Sequence, residues 1–406
     1  MPRINAVRLI ADLRSLARFG QAGSGVDRIA FSPQDQAARQ WLRGRLAEAG
    51  LDARIDRLGN VIGRYPDVRR TVLIGSHTDT VPKGGWLDGA YGVICGLEIA
   101  RALRERGGGP GLGVDVASFQ DEEGTFLPFL GSRSFCGDLS DADLAAVKSK
   151  DGTPLAAALE AAAYAGPAAK YDPARHAAYL EAHIEQGPRL EAERRRIGIV
   201  SGIVGIRRLR IFAKGQADHA GTTPMAMRKD AGAVLLRLGA RILAEFPSRA
   251  GAETVWNIGR IEFRPGAANV VPAEAEMVLE IRDTAVAKLD ELEACVAEWI
   301  ADGDRQGPVS IASEPIARIT PTAMSPEIGR LIAAAAREHH AEPLPMPSGA
   351  GHDAMVLGRF MPAAMLFVPS IGGRSHDIVE DTSEADLALG CEVLAATVEK
   401  LAASAV

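Results

Sequence analysis

The sequence predicts an α/β protein: a domain on a mainly parallel sheet, interrupted by a smaller α+β domain. Three observations carry this. A strand–helix–strand unit spans Thr71 to Phe119, a β-α-β-β-α-β string runs from Arg207 to Ala312, and helix–strand alternation resumes after Pro321. A length of 406 residues fits two or three folding units at roughly 150 residues each. The boundaries implied are 1–206 and 322–406 for the larger, discontinuous domain and 207–321 for the insert.

Taken in order, Met1 to Gly20 carries Asp12, Arg14 and Arg18 among apolar residues, the pattern of an amphipathic helix. Gln34 to Ala49 has helical spacing and stops at Gly50. Ala53 to Tyr65 contains a turn at Gly59-Asn60 between two extended stretches. Thr71 to Ile74 is a short apolar run stopped by Gly75, which reads as a buried strand. Gly92 to Arg106 is a helix that ends in Gly107-Gly108-Gly109-Pro110, and Val114 to Phe119 is the next strand. Together these form a βαβ unit, hence a parallel pair with a right-handed crossover. Ala156 to Ala169 reads as an alanine-rich surface helix.

The rhythm then changes. Arg208 to Phe212 alternates polar and apolar, as a strand with one wet face does. A helix at Lys229–Phe246, strands at Glu253–Phe263 and Ala275–Arg282, a helix at Asp290–Ile300 and a strand at Val309–Ala312 complete a ferredoxin-like string. Ala363 to Val368 is a strand of the returning domain.

Composition excludes several classes. Lys plus Arg is 46 and Asp plus Glu 52, a net charge of −6 without a basic block, so nucleic acid and anionic membranes find no electrostatic footprint. Aromatics at 5% give no base-stacking platform. No apolar run approaches the ~20 residues that span a bilayer. Cys95, Cys136, Cys295 and Cys391 are too scattered for a metal clip or disulfide framework and point to a reducing, cytoplasmic compartment.

The chemistry gathers where parallel strands end. His77-Thr78-Asp79 follows the first strand of the βαβ unit, Leu87-Asp88-Gly89 opens its helix, and Asp121-Glu122-Glu123-Gly124 follows its second strand. Ligands bind beyond the carboxyl ends of such strands. So many carboxylates in one crevice repel each other unless cations neutralise them, and imidazole with carboxylate suits zinc or a related first-row metal. Of eight histidines, His176, His339 and His340 read as surface residues. His77, His183, His219, His352 and His376 stand in Gly- or acid-rich loops.

These residues resemble a family. Gly75-Ser76-His77-Thr78-Asp79-Thr80, Leu87-Asp88-Gly89, Asp121-Glu122-Glu123-Gly124, His183-Ile184-Glu185-Gln186-Gly187, Gly215 to Gly221 and Ser375-His376 are similar to the di-zinc aminoacylase and carboxypeptidase clan. Within it, His183 followed by Glu-Gln-Gly resembles the branch of N-carbamoyl-L-amino-acid hydrolases, allantoate amidohydrolases and β-ureidopropionases. The resemblance runs from Gly25-Val26-Asp27-Arg28 to Glu380, nearly the whole chain.

It implies a metallohydrolase domain with two divalent ions, zinc first, with manganese, cobalt or nickel as alternatives. His77 and His183 would bind one ion, Glu123 and His376 the other, and Asp88 both. Asp79 would accept the second N–H of His77, and Glu122 would act as general base toward a dimetal-activated hydroxide. The insert would be a lid and dimerisation domain, making the protein a homodimer. There Arg282 and Asn269 would grip the substrate carboxylate and His219 the oxyanion. Gln186 would bond the ureido group, and His352, in Gly351-His352-Asp353, would line the pocket. One departure stands out: after Glu123-Gly124 this chain reads Thr125-Phe126-Leu127-Pro128-Phe129-Leu130, an apolar stretch where the family commonly carries arginine.

The expected activity is hydrolysis of the ureido C–N bond of an N-carbamoyl-L-amino acid, a small ureido carboxylate, to the amino acid, ammonia and carbon dioxide. Alternatives are allantoate amidohydrolase, a dipeptidase or aminoacylase of the same clan, and a non-catalytic binding protein. No phosphate-cradling glycine motif is present.

Overall fold

Helix α1 (Ala6–Ala17) starts at Asn5, whose side chain accepts the Arg8 N–H, and it buries Leu9, Leu13 and Leu16. Helix α2 (Pro33–Glu48) starts the same way, with Ser32 as cap and proline in its first turn. This computed structural model describes residues 3–107 and 112–404. The expected helix stop at Gly108-Gly109-Pro110 lies outside the described residues.

The first unit, Met1–Ser201 with Ala323–Val406, continues with strands β1 (Asp52–Ile55), β2 (Val61–Arg64) and β3 (Arg70–His77), helix α3 (Ala90–Glu105), and strands β4 (Leu112–Phe119), β5 (His176–Ile184) and β6 (Gly198–Ile203). The second unit, Gly202–Thr322, holds β7 (Gly205–Lys214), α4 (Ala231–Arg249), β8 (Val255–Arg264), β9 (Glu274–Asp283), α5 (Val286–Gln306) and β10 (Ser310–Ile319). The chain returns to the first unit with α6 (Pro326–Glu338), β11 (Ala363–Val368) and α7 (Glu384–Ser404).

In the first unit the strand order is β6-β11-β5-β3-β4-β2-β1. The central four are parallel, and β6, β2 and β1 join antiparallel. Buried on both faces, β3 and β4 read as near-continuous apolar runs. Helix α3 packs against them with Val93, Leu97 and Ala100 fully buried.

Three expectations need correcting here. Gly75 does not stop its strand, which runs on to His77. A Cβ at Gly75 would lie 2.2 Å from the Ala117 carbonyl oxygen, so glycine serves close strand approach. His176 is buried, not on the surface, with Nε2 3.3 Å from Asp115. The alanine-rich helix covers only Leu155–Ala162 and ends at Ala163 in the left-handed conformation. Strands β5 and β6 carried no clear signal, because alanine, histidine and glycine interrupt their apolar runs.

The second unit is the ferredoxin-like sandwich read from the string. Its sheet, ordered β8-β9-β7-β10, is antiparallel throughout. Leu235, Ile242 and Phe246 of α4 and Leu292 and Val296 of α5 cover Leu209, Ile211, Met277 and Ile281 on one face. Among the described residues, no helix is long and apolar enough to cross a membrane.

Candidate metal centre

The four parallel strands end on one edge, and each end delivers part of a cluster within the first unit. His77 is the last residue of β3, His183 the penultimate residue of β5, Glu122 and Glu123 follow β4, and His376 follows β11. Asp88 lies just before α3. There Gly89 takes φ +64°, and a Cβ on it would lie 2.4 Å from the His77 ring.

Asp88 joins two sets of donors. Its Oδ1 is 3.1 Å from His183 Nε2 and 3.7 Å from His77 Nε2, and its Oδ2 is 3.2 Å from His376 Nε2. His376 Nε2 is also 3.8 Å from Glu123 Oε1. Ligands about 2.1 Å from a tetrahedral zinc ion stand roughly 3.4 Å apart, and these separations bracket that spacing. Glu123 Oε1 is buried without a hydrogen-bond partner, an acceptor that a cation would satisfy. The sets His77–Asp88–His183 and Asp88–Glu123–His376 therefore fit two metal ions.

The imidazoles are turned for this. His77 Nδ1 lies 2.9 Å from the Asp79 carbonyl and His183 Nδ1 2.8 Å from the Ile184 carbonyl. A carbonyl only accepts, so each Nδ1 carries a proton, and each Nε2, the atom turned toward Asp88, is the one left for a metal once it is deprotonated. The structure thus changes the part expected of Asp79. Its carbonyl, not its carboxylate, takes the His77 N–H. The carboxylate, 4.0 Å from Nδ1 at its nearest, instead accepts the backbone N–H of Asp121 at 3.1 Å and of Glu123 at 3.3 Å. Asp121 is no ligand either: its oxygens accept the N–H groups of Thr125, Phe126 and Leu127. Glu122 is held between these two anchored neighbours, with Oε2 3.7 Å from His77 Nε2.

Charge crowding is severe. Burial raises the Glu122 carboxyl well above its ordinary range, and Glu123, Asp353 and Asp88 add repulsion. Burial and then Asp88 push Glu123 up to about 8. Burial lowers His183, but its bond to Asp88 outweighs that and lifts it to about 9. The hydrogen bond to Asp88 lifts His376 to about 9 as well. Protons hold together a cluster whose chemistry calls for cations.

Gln186 donates Nε2 to Asp88 Oδ2 and Ser375 Oγ, both at 3.1 Å, and its Oε1 is buried without a partner. His352 lies behind the cluster at 2% exposure, its ring 4.5 Å from that of His183 and its Nε2 on Ser348 Oγ. His219, Asn269 and Arg282 belong to the second unit. The first two are brought together there by the Ala220 N–H on the Asn269 carbonyl, and Arg282 Nε pairs with Glu280 at 2.7 Å.

Sequence reasoning assigned no part to three buried charged residues. Glu181 accepts from Ser76 Oγ, Tyr179 and the Ala354 N–H. Arg39 joins Asp35 and Asp79. Glu380 binds the Asp88 turn. The available signal for Glu181 was an acid inside an apolar strand run.

Against this geometry, comparison with known proteins is decisive. The profile described as peptidase family M20/M25/M40 matches residues 73–400. The chain belongs to this family. A crystal structure of an amidase of the hydantoinase/carbamoylase family from Burkholderia phymatum superposes with a TM-score of 0.94 at 46% identity, covering 100% of this chain and 99% of that one. An N-carbamoyl-L-amino-acid amidohydrolase of Paenarthrobacter aurescens is 35% identical over 97% of each chain. The allantoate amidohydrolase of Escherichia coli is 32% identical over 95% of this chain and 96% of its own. M20 proteins are metal-dependent, consistent with the paired donor sets. The chain is a hydrolase of C–N bonds other than peptide bonds.

Proposed function

We propose that this M20 protein hydrolyses N-carbamoyl-L-amino acids, releasing the L-amino acid, ammonia and carbon dioxide. The observation that carries the reading is Asp88, whose two oxygens face separate donor sets. His77 and His183 hold one ion with Asp88, and Glu123 and His376 hold the other. Zinc is the first choice for this donor set, with manganese, cobalt and nickel as alternatives. When bound, the two ions supply Lewis acidity and acidify water.

The chain's own groups do the rest. Glu122, buried and fixed between Asp121 and Glu123, takes a proton from the attacking water and returns it to the leaving nitrogen. Gln186, with Nε2 spent on Asp88 and Ser375, offers Oε1 to a ureido N–H. Arg282 and Asn269 take the substrate carboxylate and His219 the oxyanion. His352 buttresses the His183 ring. A cytoplasmic homodimer completes the reading: all four cysteines are free, and Leu236 and Leu243, seven residues apart and so on one face of α4, are exposed.

The test is ammonia release by metal-reconstituted protein from N-carbamoyl-L-amino acids, allantoate and a dipeptide. Turnover of a carbamoyl amino acid, absent in Glu122→Gln, is the expected result. Turnover of allantoate alone favours the second reading, which the E. coli relative supports. Silence on all three with both ions bound refutes the substrate.

A further inference from the structure

The two donor sets are not held alike. His77 and His183 end sheet strands, and each ring is fixed by a neighbouring carbonyl. His376 stands on a loop at φ +54° with its side chain 52% exposed. The buried tie between that loop and the Asp88 turn is Glu380, four residues on and 2% exposed.

Glu380 Oε1 accepts the backbone N–H groups of Leu87 and Asp88, both at 3.1 Å. Its Oε2 accepts Ser375 Oγ at 2.8 Å, next to His376. Ser375 Oγ also receives Gln186 Nε2, which in turn reaches Asp88 Oδ2. The ring of contacts Glu380–Ser375–Gln186–Asp88 closes on itself. Gly85 makes room for it: a Cβ there would sit 1.9 Å from the Glu380 carboxylate.

We propose that Glu380 is a positioning residue that ties the Asp88 turn to the His376 loop and so governs the Asp88–Glu123–His376 ion selectively. This rests on the two-ion reading above. His77 and His183 keep their sheet and carbonyl supports when the tie is cut, so of that ion's three ligands only the shared Asp88 shifts, and the ion stays. The other ion loses the registry between two of its three ligands. Outer contacts of this kind change metal affinity by about 10–100-fold.

The experiment counts zinc bound per chain, and its affinity, in wild type, Glu380→Ala and Glu380→Gln, with thermal scans of each metal-free protein. Wild type binds two ions. Glu380→Ala keeps one at wild-type affinity and binds the second at least tenfold more weakly, with its metal-free melting temperature little changed. Glu380→Gln, whose Oε1 still accepts both N–H groups, recovers most of that affinity. Manganese-loaded samples give a second readout, because the spin coupling of paired ions disappears only in Glu380→Ala. Should Glu380→Ala fail to fold, Ser375→Ala cuts one limb of the tie and weakens the second ion alone. Undiminished binding of both ions, equal loss in both Glu380 variants, or loss of both ions together overturns the proposal while the two-ion reading survives. A wild-type protein that binds fewer than two ions overturns the reading itself.

Discussion

At the scale of single residues, position and protonation divide the work among neighbouring acids. Asp121, Glu122 and Glu123 are consecutive, yet they are used differently: Asp121 spends both oxygens on backbone N–H groups. Glu123 keeps a buried, unpartnered oxygen beside His376, and Glu122 faces His77. Glu122→Gln keeps the shape and removes the base. The expected outcome is a fall in kcat of about 10²–10⁴ with zinc content and KM nearly unchanged, read from steady-state kinetics and metal analysis together. Arg282→Lys tests the carboxylate grip. A point charge cannot reproduce a planar fork, so KM for a carbamoyl amino acid should rise about tenfold, or ~1.4 kcal/mol, while kcat changes less. A larger fall in kcat than rise in KM would place Arg282 in the chemical step instead.

At the scale of elements, the clearest sequence signals were those with a period. The second unit's strands alternate wet and buried residues, so Arg208 to Phe212 and Glu280 to Arg282 could be read directly. Strand β5 defeats that reading, because Ala177, Glu181 and His183 sit where a parallel strand usually shows branched apolar residues. Gly75 misled in another way: glycine breaks a run in sequence, but here it permits an approach that only the paired strand reveals. Gly75→Ala should therefore cost about 1–3 kcal/mol, as overpacking does, because the clash is with backbone that cannot swing aside. Urea denaturation of the metal-free protein measures it, and a change below ~0.5 kcal/mol would mean that β3 and β4 can spread. The candidate ligands were legible because strand ends collect them, whereas the parts of the Asp79 carbonyl and of Glu380 were not. Both act through backbone groups, which a sequence does not distinguish.

At the scale of the whole molecule, the centre couples folding, protons and metal. Without metal, Glu123 titrates at about 8 rather than near 4.5, and His183 and His376 at about 9 rather than near 6.5. All three folded values are raised, so between pH 7 and 9 the folded chain binds more protons than the unfolded one. The stability contributed by the two imidazoles is full below about pH 6.5 and is lost as pH climbs through 9. Glu123 runs the same way, since the unfolded carboxylate is already ionised while the folded one must ionise in a buried, negative site. His77, lowered to about 4 by burial, stays neutral throughout this window and leaves the slope alone. These groups thus make the metal-free protein less stable from pH 7 to pH 9. A divalent ion must displace the same protons, so its affinity rises over the same range. At a free concentration of 100 times its Kd, each ion stabilises by about 2.7 kcal/mol. The gap in melting temperature between metal-loaded and chelator-treated protein should therefore widen from pH 7 to 9, with proton release on zinc titration detectable as a buffer-dependent heat. A gap that stays constant, with no protons released, would show that the cluster is already deprotonated and poised at neutral pH.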